Sequence, residues 1–120
     1  MNNYEIEFYC TEDGKCPVKK FLSKLDVKML VKIKRGLDIL SEFGPLVREP
    51  YSKALDDGVF ELRTKVSSDI TRILYFFYVG KKIILTNGFV KKTQKTPMEE
   101  IKRAKLAKAD YERRNKNERF

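Results

Sequence analysis

An α+β fold is predicted by three features of the 120-residue sequence: a period-two stretch at its start, two consecutive amphipathic helical patterns, and a later run of three strand-like segments joined by short turns. With 42% hydrophobic residues the chain can bury one core but hardly two, so a single domain over residues 1–120 is expected.

Each element has its own local signature. Tyr4, Ile6, Phe8 and Cys10 alternate with Asn3, Glu5, Glu7 and Tyr9, which predicts a half-buried strand over 3–10. After a turn at Glu12, Asp13 and Gly14, Pro17 opens a helix whose Val18, Phe21, Leu22 and Leu25 share one face. Asp26 caps a second helix, predicted to turn Val27, Leu30, Val31, Ile33, Leu37 and Leu40 inward and to stop near Phe43, where Gly44 and Pro45 follow. Residues 45–58 read as an irregular connection with room for a short strand at 53–55, ending in the Asp57 and Gly58 turn. Segments 59–65, 70–79 and 82–90 are rich in β-branched and aromatic residues, and Gly80 and Lys81 supply a tight turn between the last two. The middle segment is apolar on both faces and belongs at the centre of the sheet; connections too short for crossovers make the sheet mainly antiparallel. Finally Thr96, Pro97 and Glu99 have the spacing of a capping box, so a terminal helix should begin at 97. Its apolar side, Ile101, Ala104, Leu106 and Tyr111, is thin, and roughly the last eight residues are expected to fray. The predicted order is β-α-α-β-β-β-α.

Composition narrows the chemistry. There is no histidine, so the side chain that most often shuttles protons near neutral pH is missing and acid/base work falls to Lys, Arg, Tyr, Asp or Glu; a ribonuclease built on a histidine pair is excluded. The two cysteines, Cys10 and Cys16, suggest neither a zinc site nor a disulfide framework and are expected to be free thiols in a reducing compartment, with no metal or other cofactor. The longest apolar run, 73–79, is far short of a membrane span, and the start lacks the basic-then-apolar order of a signal peptide, so a cytoplasmic protein is expected.

The charge is lopsided. Residues 1–60 carry ten Lys/Arg and ten Asp/Glu, and residues 61–120 carry sixteen and seven, so the whole net charge of +9 lies in the second half. Such a concentration is the footprint of a polyanion partner, though a merely solvated basic surface would look similar. Arg72 is the sharpest single feature, because it interrupts an otherwise apolar strand where an unpaired buried cation would cost several kcal/mol by order of magnitude. Either a salt bridge to Glu61 or Asp69 compensates it, or it presents a planar fork to phosphate. In an antiparallel sheet Arg63, Arg72 and the lysines 91, 92 and 95 converge, and the last three sit before a helix N-terminus, a place suited to an anion.

Taken together, Gly58-Val59-Phe60-Glu61-Leu62-Arg63, then Arg72-Ile73-Leu74-Tyr75-Phe76, then Gly88-Phe89-Val90-Lys91-Lys92-Thr93-Gln94-Lys95-Thr96-Pro97 and a helix resemble the phage-derived HigB-type branch of the RelE/ParE toxin superfamily. The match in order and spacing runs over residues 55–110, and the helical hairpin before it suits the RelE-like fold. The resemblance implies a toxin of a type II toxin-antitoxin system: a ribosome-dependent messenger RNA endoribonuclease, neutralised by a helix-turn-helix, HigA-like antitoxin. It marks Arg72 as the phosphate-binding arginine of an active face, with Arg63 beside it, Lys92 and Lys95 supplying loop charge, and Tyr75 as a further catalytic candidate. Lys91, Lys65 and Lys102 are the corresponding RNA-binding candidates. Asn87 stands where many relatives have a histidine, and Lys65 alone answers to the paired lysines of the RelE branch. Cleavage of this kind needs the 2′-hydroxyl to attack the neighbouring phosphorus, with a base, an acid and positive charge around the pentavalent centre; a lysine crowded by cations, Lys92 or Lys95, could be the base. Two other readings predict different outcomes: a ParE-like toxin that blocks a protein target such as gyrase, and a plain basic nucleic-acid-binding module.

Overall fold

The computed structural model describes residues 3–93 and 95–116. Its elements are β1 (Glu5–Phe8), α1 (Pro17–Leu22), α2 (Val27–Phe43), a 3-10 turn (Gly44–Leu46), β2 (Ser52–Ala54), β3 (Val59–Val66), β4 (Asp69–Tyr78), β5 (Lys82–Val90) and α3 (Met98–Arg114). The α+β class and the element order follow the sequence expectation, and the short strand falls at 52–54. All five strands form one sheet in the order β1-β5-β4-β3-β2, with β4 at the centre as its two apolar faces require. The β2 to β5 pairings are antiparallel, whereas β1 lies parallel to β5, Glu5 opposite Lys82 and Phe8 opposite Leu85. That pairing joins the first strand to the last, so no local pattern announces it.

Local chemistry sets the boundaries. The Asp26 carboxylate accepts the Met29 N–H at 2.9 Å, capping α2 as its position predicts. Val79, Gly80 and Lys81 form the three-residue turn between β4 and β5, and the last two adopt positive φ. Thr96, by contrast, does not cap α3: Pro97 occupies the cap position, the helix begins at Met98, and the Thr96 hydroxyl is used elsewhere.

Helices cover both sides of the sheet. On one face Met29, Ile33 and Leu40 of α2, with Val18 of α1, pack on Leu62, Ile73, Tyr75, Ile83 and Leu85. Of the expected inward face of α2, Ile33 and Leu40 are buried and Leu37 packs on the core, whereas Val27 and Val31 point to solvent, 74% and 48% exposed, and Met29 takes an inward position in the first turn. Gly88 lies under the Phe21 ring, where a Cβ would come within 2.5 Å of Phe21 Cδ2, so close helix-to-sheet packing demands glycine there. On the other face Ala104 and Ala107 let α3 approach Val59, Leu74, Phe76 and Ile84 closely, and Tyr111 stacks edge-on against Phe76 and Tyr78.

The far end of α3 is clasped to the segment after β1. Tyr9, read from its alternation as solvent-facing, is buried there, and its hydroxyl donates to Asp110 at 2.6 Å. Arg113 bridges Asp110 and Glu12, and Arg114 donates to Asp110 and to the Cys10 carbonyl. The fraying expectation falls partly on residues 117–120, outside the described residues; up to Arg114 the helix is held by these contacts. Cys10 and Cys16 are not free thiols: they form a disulfide, since the turn that returns Lys15 to Thr11 brings their Cα atoms to 4.2 Å. Among the described residues no helix is long and apolar enough to cross a membrane.

The clasp has a pH signature. The Tyr9 hydroxyl, with both arginines behind it, holds the Asp110 carboxyl at about 2 against 3.8 for the free group. A depressed carboxyl contributes stability that is complete above its unfolded value and lost as pH falls through the folded one. Asp110→Asn is therefore expected to cost about 1 kcal/mol at neutral pH, the pair being open to solvent and screened. Melting curves of wild type and variant should converge between pH 4 and 2; parallel curves would show that Asp110 is not the group responsible.

Candidate active site

Next to the start of α3, basic side chains gather on the sheet face that the helix covers. Register brings Arg63 of β3 directly opposite Arg72 of β4. Like charges facing each other across a strand pair are unfavourable, and the compensation is Glu61, two residues before Arg63 and therefore on the same face, diagonal to Arg72. Its carboxylate is buried to 1% exposure; one oxygen accepts from Arg63 Nε at 2.9 Å and lies 3.5 Å from Arg72 Nε. The other oxygen accepts from the Thr96 hydroxyl. The salt bridge foreseen as one role for Arg72 is thus present, to Glu61.

That compensation is incomplete. Arg72 is 94% buried, yet its Nε lies within ion-pair range of Glu61 without hydrogen-bond geometry, and its Nη1 reaches only the Thr71 carbonyl at 3.2 Å. Burial lowers its proton affinity, with Glu61 opposing and Arg63 reinforcing the shift. Arg63 is more accessible and also contacts Glu49 at 3.4 Å on the rim. One buried carboxylate therefore holds two guanidiniums, and Glu49 at the rim balances the second positive charge.

A β-bulge delivers the lysine. Between β4 and β5 the register slips by one, Leu74 facing Asn87 but Tyr75 facing Leu85, which leaves Thr86 as an extra residue bonded to the Leu74 carbonyl at 3.1 Å. After the slip Asn87, Phe89 and Lys91 follow the α3 side of the sheet, Phe89 packing with Val59, Leu74 and Ala104. The Lys91 N–H donates to the Ile70 carbonyl at 2.8 Å, fixing the chain end beside the arginines. Partial burial, then Arg72 and Arg63, push the Lys91 ammonium below the ordinary lysine value, against the pull of Glu61, with Lys53 of β2 adding to the push.

The structure thus groups Arg63, Arg72 and Lys91. Lys92 and Lys95 stand exposed on the loop that follows, where the Thr93 hydroxyl donates to the Lys95 carbonyl. Lys65 is exposed at the end of β3, and Lys102 sits on α3 against the 54–56 segment, away from the arginines. Tyr75 does not join the group. Its side chain belongs to the opposite, α2-covered core, its hydroxyl is paired with Ser52, and burial raises the phenol above its usual value. The reason is strand parity, since an odd separation from Arg72 puts it on the other face. Asn87 anchors α3, its amide donating to the Glu100 carboxylate at 2.9 Å. The sequence pattern marks Thr96 only as a helix cap; its contact with Glu61 is not foreseen there, nor is Lys53's place opposite Glu61, which follows only from the register of β2.

A five-stranded sheet flanked by helices on both sides, with Arg63, Arg72 and Lys91 gathered near one buried carboxylate, defines a small basic α+β protein. The family model for phage-derived Gp49-like proteins (DUF891) matches residues 20–108, and the chain belongs to that family, one of RelE/HigB-like toxin type. No curated protein matches the chain.

Proposed function

We propose that this protein is the HigB-type toxin of a type II toxin-antitoxin system and acts as a messenger RNA endoribonuclease on the translating ribosome. The observation that carries the reading is the buried Glu61 holding Arg63 and Arg72 as a paired fork, with a lysine of lowered proton affinity beside them. Two guanidiniums match the charge that accumulates on a phosphate under attack. Lys91, whose proton affinity the neighbouring arginines lower, takes the proton of the 2′-hydroxyl as that oxygen bonds to phosphorus. The P–O5′ bond breaks, the departing oxygen takes a proton from an ammonium of the Lys92 and Lys95 loop, and a 2′,3′-cyclic phosphate and a 5′-hydroxyl remain. In-line transesterification of this kind needs no metal. Binding on the ribosome would supply the alignment that an open site lacks, which can account for much of the barrier.

The exposed loop lysines Lys92 and Lys95, beside the arginines, suit the acidic segment of a helix-turn-helix antitoxin, whose coverage would silence the site. Primer extension after induced expression tests the reading, on a translated message and on the same message without its start codon. Cuts confined to the translated message are expected. Growth arrest over intact message would overturn the nuclease in favour of a blocked protein target, and no arrest would leave a basic binding domain.

A further inference from the structure

We infer that a groove running from the two arginines across the end of β3 to helix α2 binds a single strand of RNA flanking the cleaved phosphate. Arg63 and Arg72 form one end of this groove, Lys65 its middle, Lys32 and Arg35 of α2 its far wall, and Tyr51 its lip; no acidic residue lines it among the described residues. Glu49, which pairs with Arg63, stands at the rim. Five cations along one continuous depression cannot all be neutralised from within, so the groove attracts a polyanion.

Its fixed points select among polyanions. Lys32 Nζ donates to the Lys65 carbonyl, which ties α2 to β3 and holds the ammonium at the groove. The Arg63 N–H donates to the Tyr51 carbonyl at 2.8 Å, so the aromatic residue is fastened beside the catalytic arginine although 52% of it is exposed. An exposed ring next to a line of cations is the pattern that receives an unpaired base over a tracked backbone, whereas a duplex keeps its bases stacked away from such a ring. The groove's volume, about 480 Å³, has room for a nucleotide-sized group. Lys32, Arg35 and Tyr51 thus extend the site, and the inference rests on the reading of the arginine face as an RNA-cleaving one.

Fluorescence anisotropy on the full chain tests it, with a uridine-rich single-stranded RNA whose 2′-O-methyl groups prevent cleavage and with a duplex of equal length. For Lys32→Gln/Arg35→Gln, affinity should fall about tenfold and the slope of log K against log salt should shrink by about 1.4, as for two lost phosphate contacts on a single strand. Tyr51→Ala should weaken binding at least fivefold while Tyr51→Phe binds as wild type does, because the ring face and not the hydroxyl is used. Lys34→Gln/Lys81→Gln, with the same loss of charge outside the groove, should leave the slope unchanged. Equal weakening by both double variants, an unaffected Tyr51→Ala, a preference for duplex, or no RNA binding by wild type would each overturn the groove. The cleavage reading is judged separately: groove variants that bind normally and still cut translated message sink the groove alone, whereas a groove that binds RNA in a protein that cuts no message sinks the nuclease alone.

Discussion

Glu61→Gln is expected to destabilise the protein by about 3–5 kcal/mol, read as a drop in melting temperature of roughly 10 °C or more. The substitution keeps the side chain's shape and its ability to accept a hydrogen bond from Thr96, so the effect isolates the negative charge. Without that charge, Arg63 and Arg72 face each other in directly opposed positions with nothing between them, and Arg72 has almost no surface on which to shed its charge into water. A buried ion pair does not by itself mean a stable protein, since desolvation offsets much of the attraction; breaking one is costly because the partner is left buried and unpaired. The double variant Glu61→Gln/Arg72→Met should therefore recover most of the loss. A Glu61→Gln variant within about 0.5 kcal/mol of wild type, inside the range of ordinary surface substitutions, would show that the arginines find compensation elsewhere.

Arg72→Lys is expected to lower message cleavage by about a hundredfold or more while the protein remains folded. Lysine retains the charge that Glu61 balances, so the cluster survives, but a point-like ammonium cannot offer the planar fork that grips two phosphate oxygens at once. Arg72→Ala should lose at least as much activity, and its folding is checked by the same thermal melt. Comparing the two separates charge from geometry: a fully active Arg72→Lys would mean that positive charge alone suffices. Full toxicity in a well-folded Arg72→Ala would remove Arg72 from the chemistry.

What the sequence determined by itself is whatever depends on neighbours a few positions away. Asp26 as a cap, Gly44 as a stop, the Gly80 and Lys81 hairpin and the central place of β4 are all set by short-range sterics, hydrogen bonding and alternation, and the Arg72 anomaly was visible because a charge inside an apolar strand is wrong for its surroundings. The tertiary structure decided the rest. One extra residue at Thr86 flips the parity of the strand end and turns Lys91 toward the arginines, and nothing in the residues themselves marks a slip that exists only relative to β4. Parity likewise sends Tyr75 to the opposite core, although it lies only three positions from Arg72. Thr96 has the spacing of a cap but gives its hydroxyl to a carboxylate thirty-five residues earlier in the chain, since a buried charge competes more strongly for a donor than a helix end open to water does. The parallel pairing of β1, the joining of Cys10 to Cys16 and the groove between β3 and α2 belong with these. Each is a relation between elements, fixed by packing after local conformation is settled, and that is why the fold class was readable residue by residue while the site was complete only once the sheet had formed.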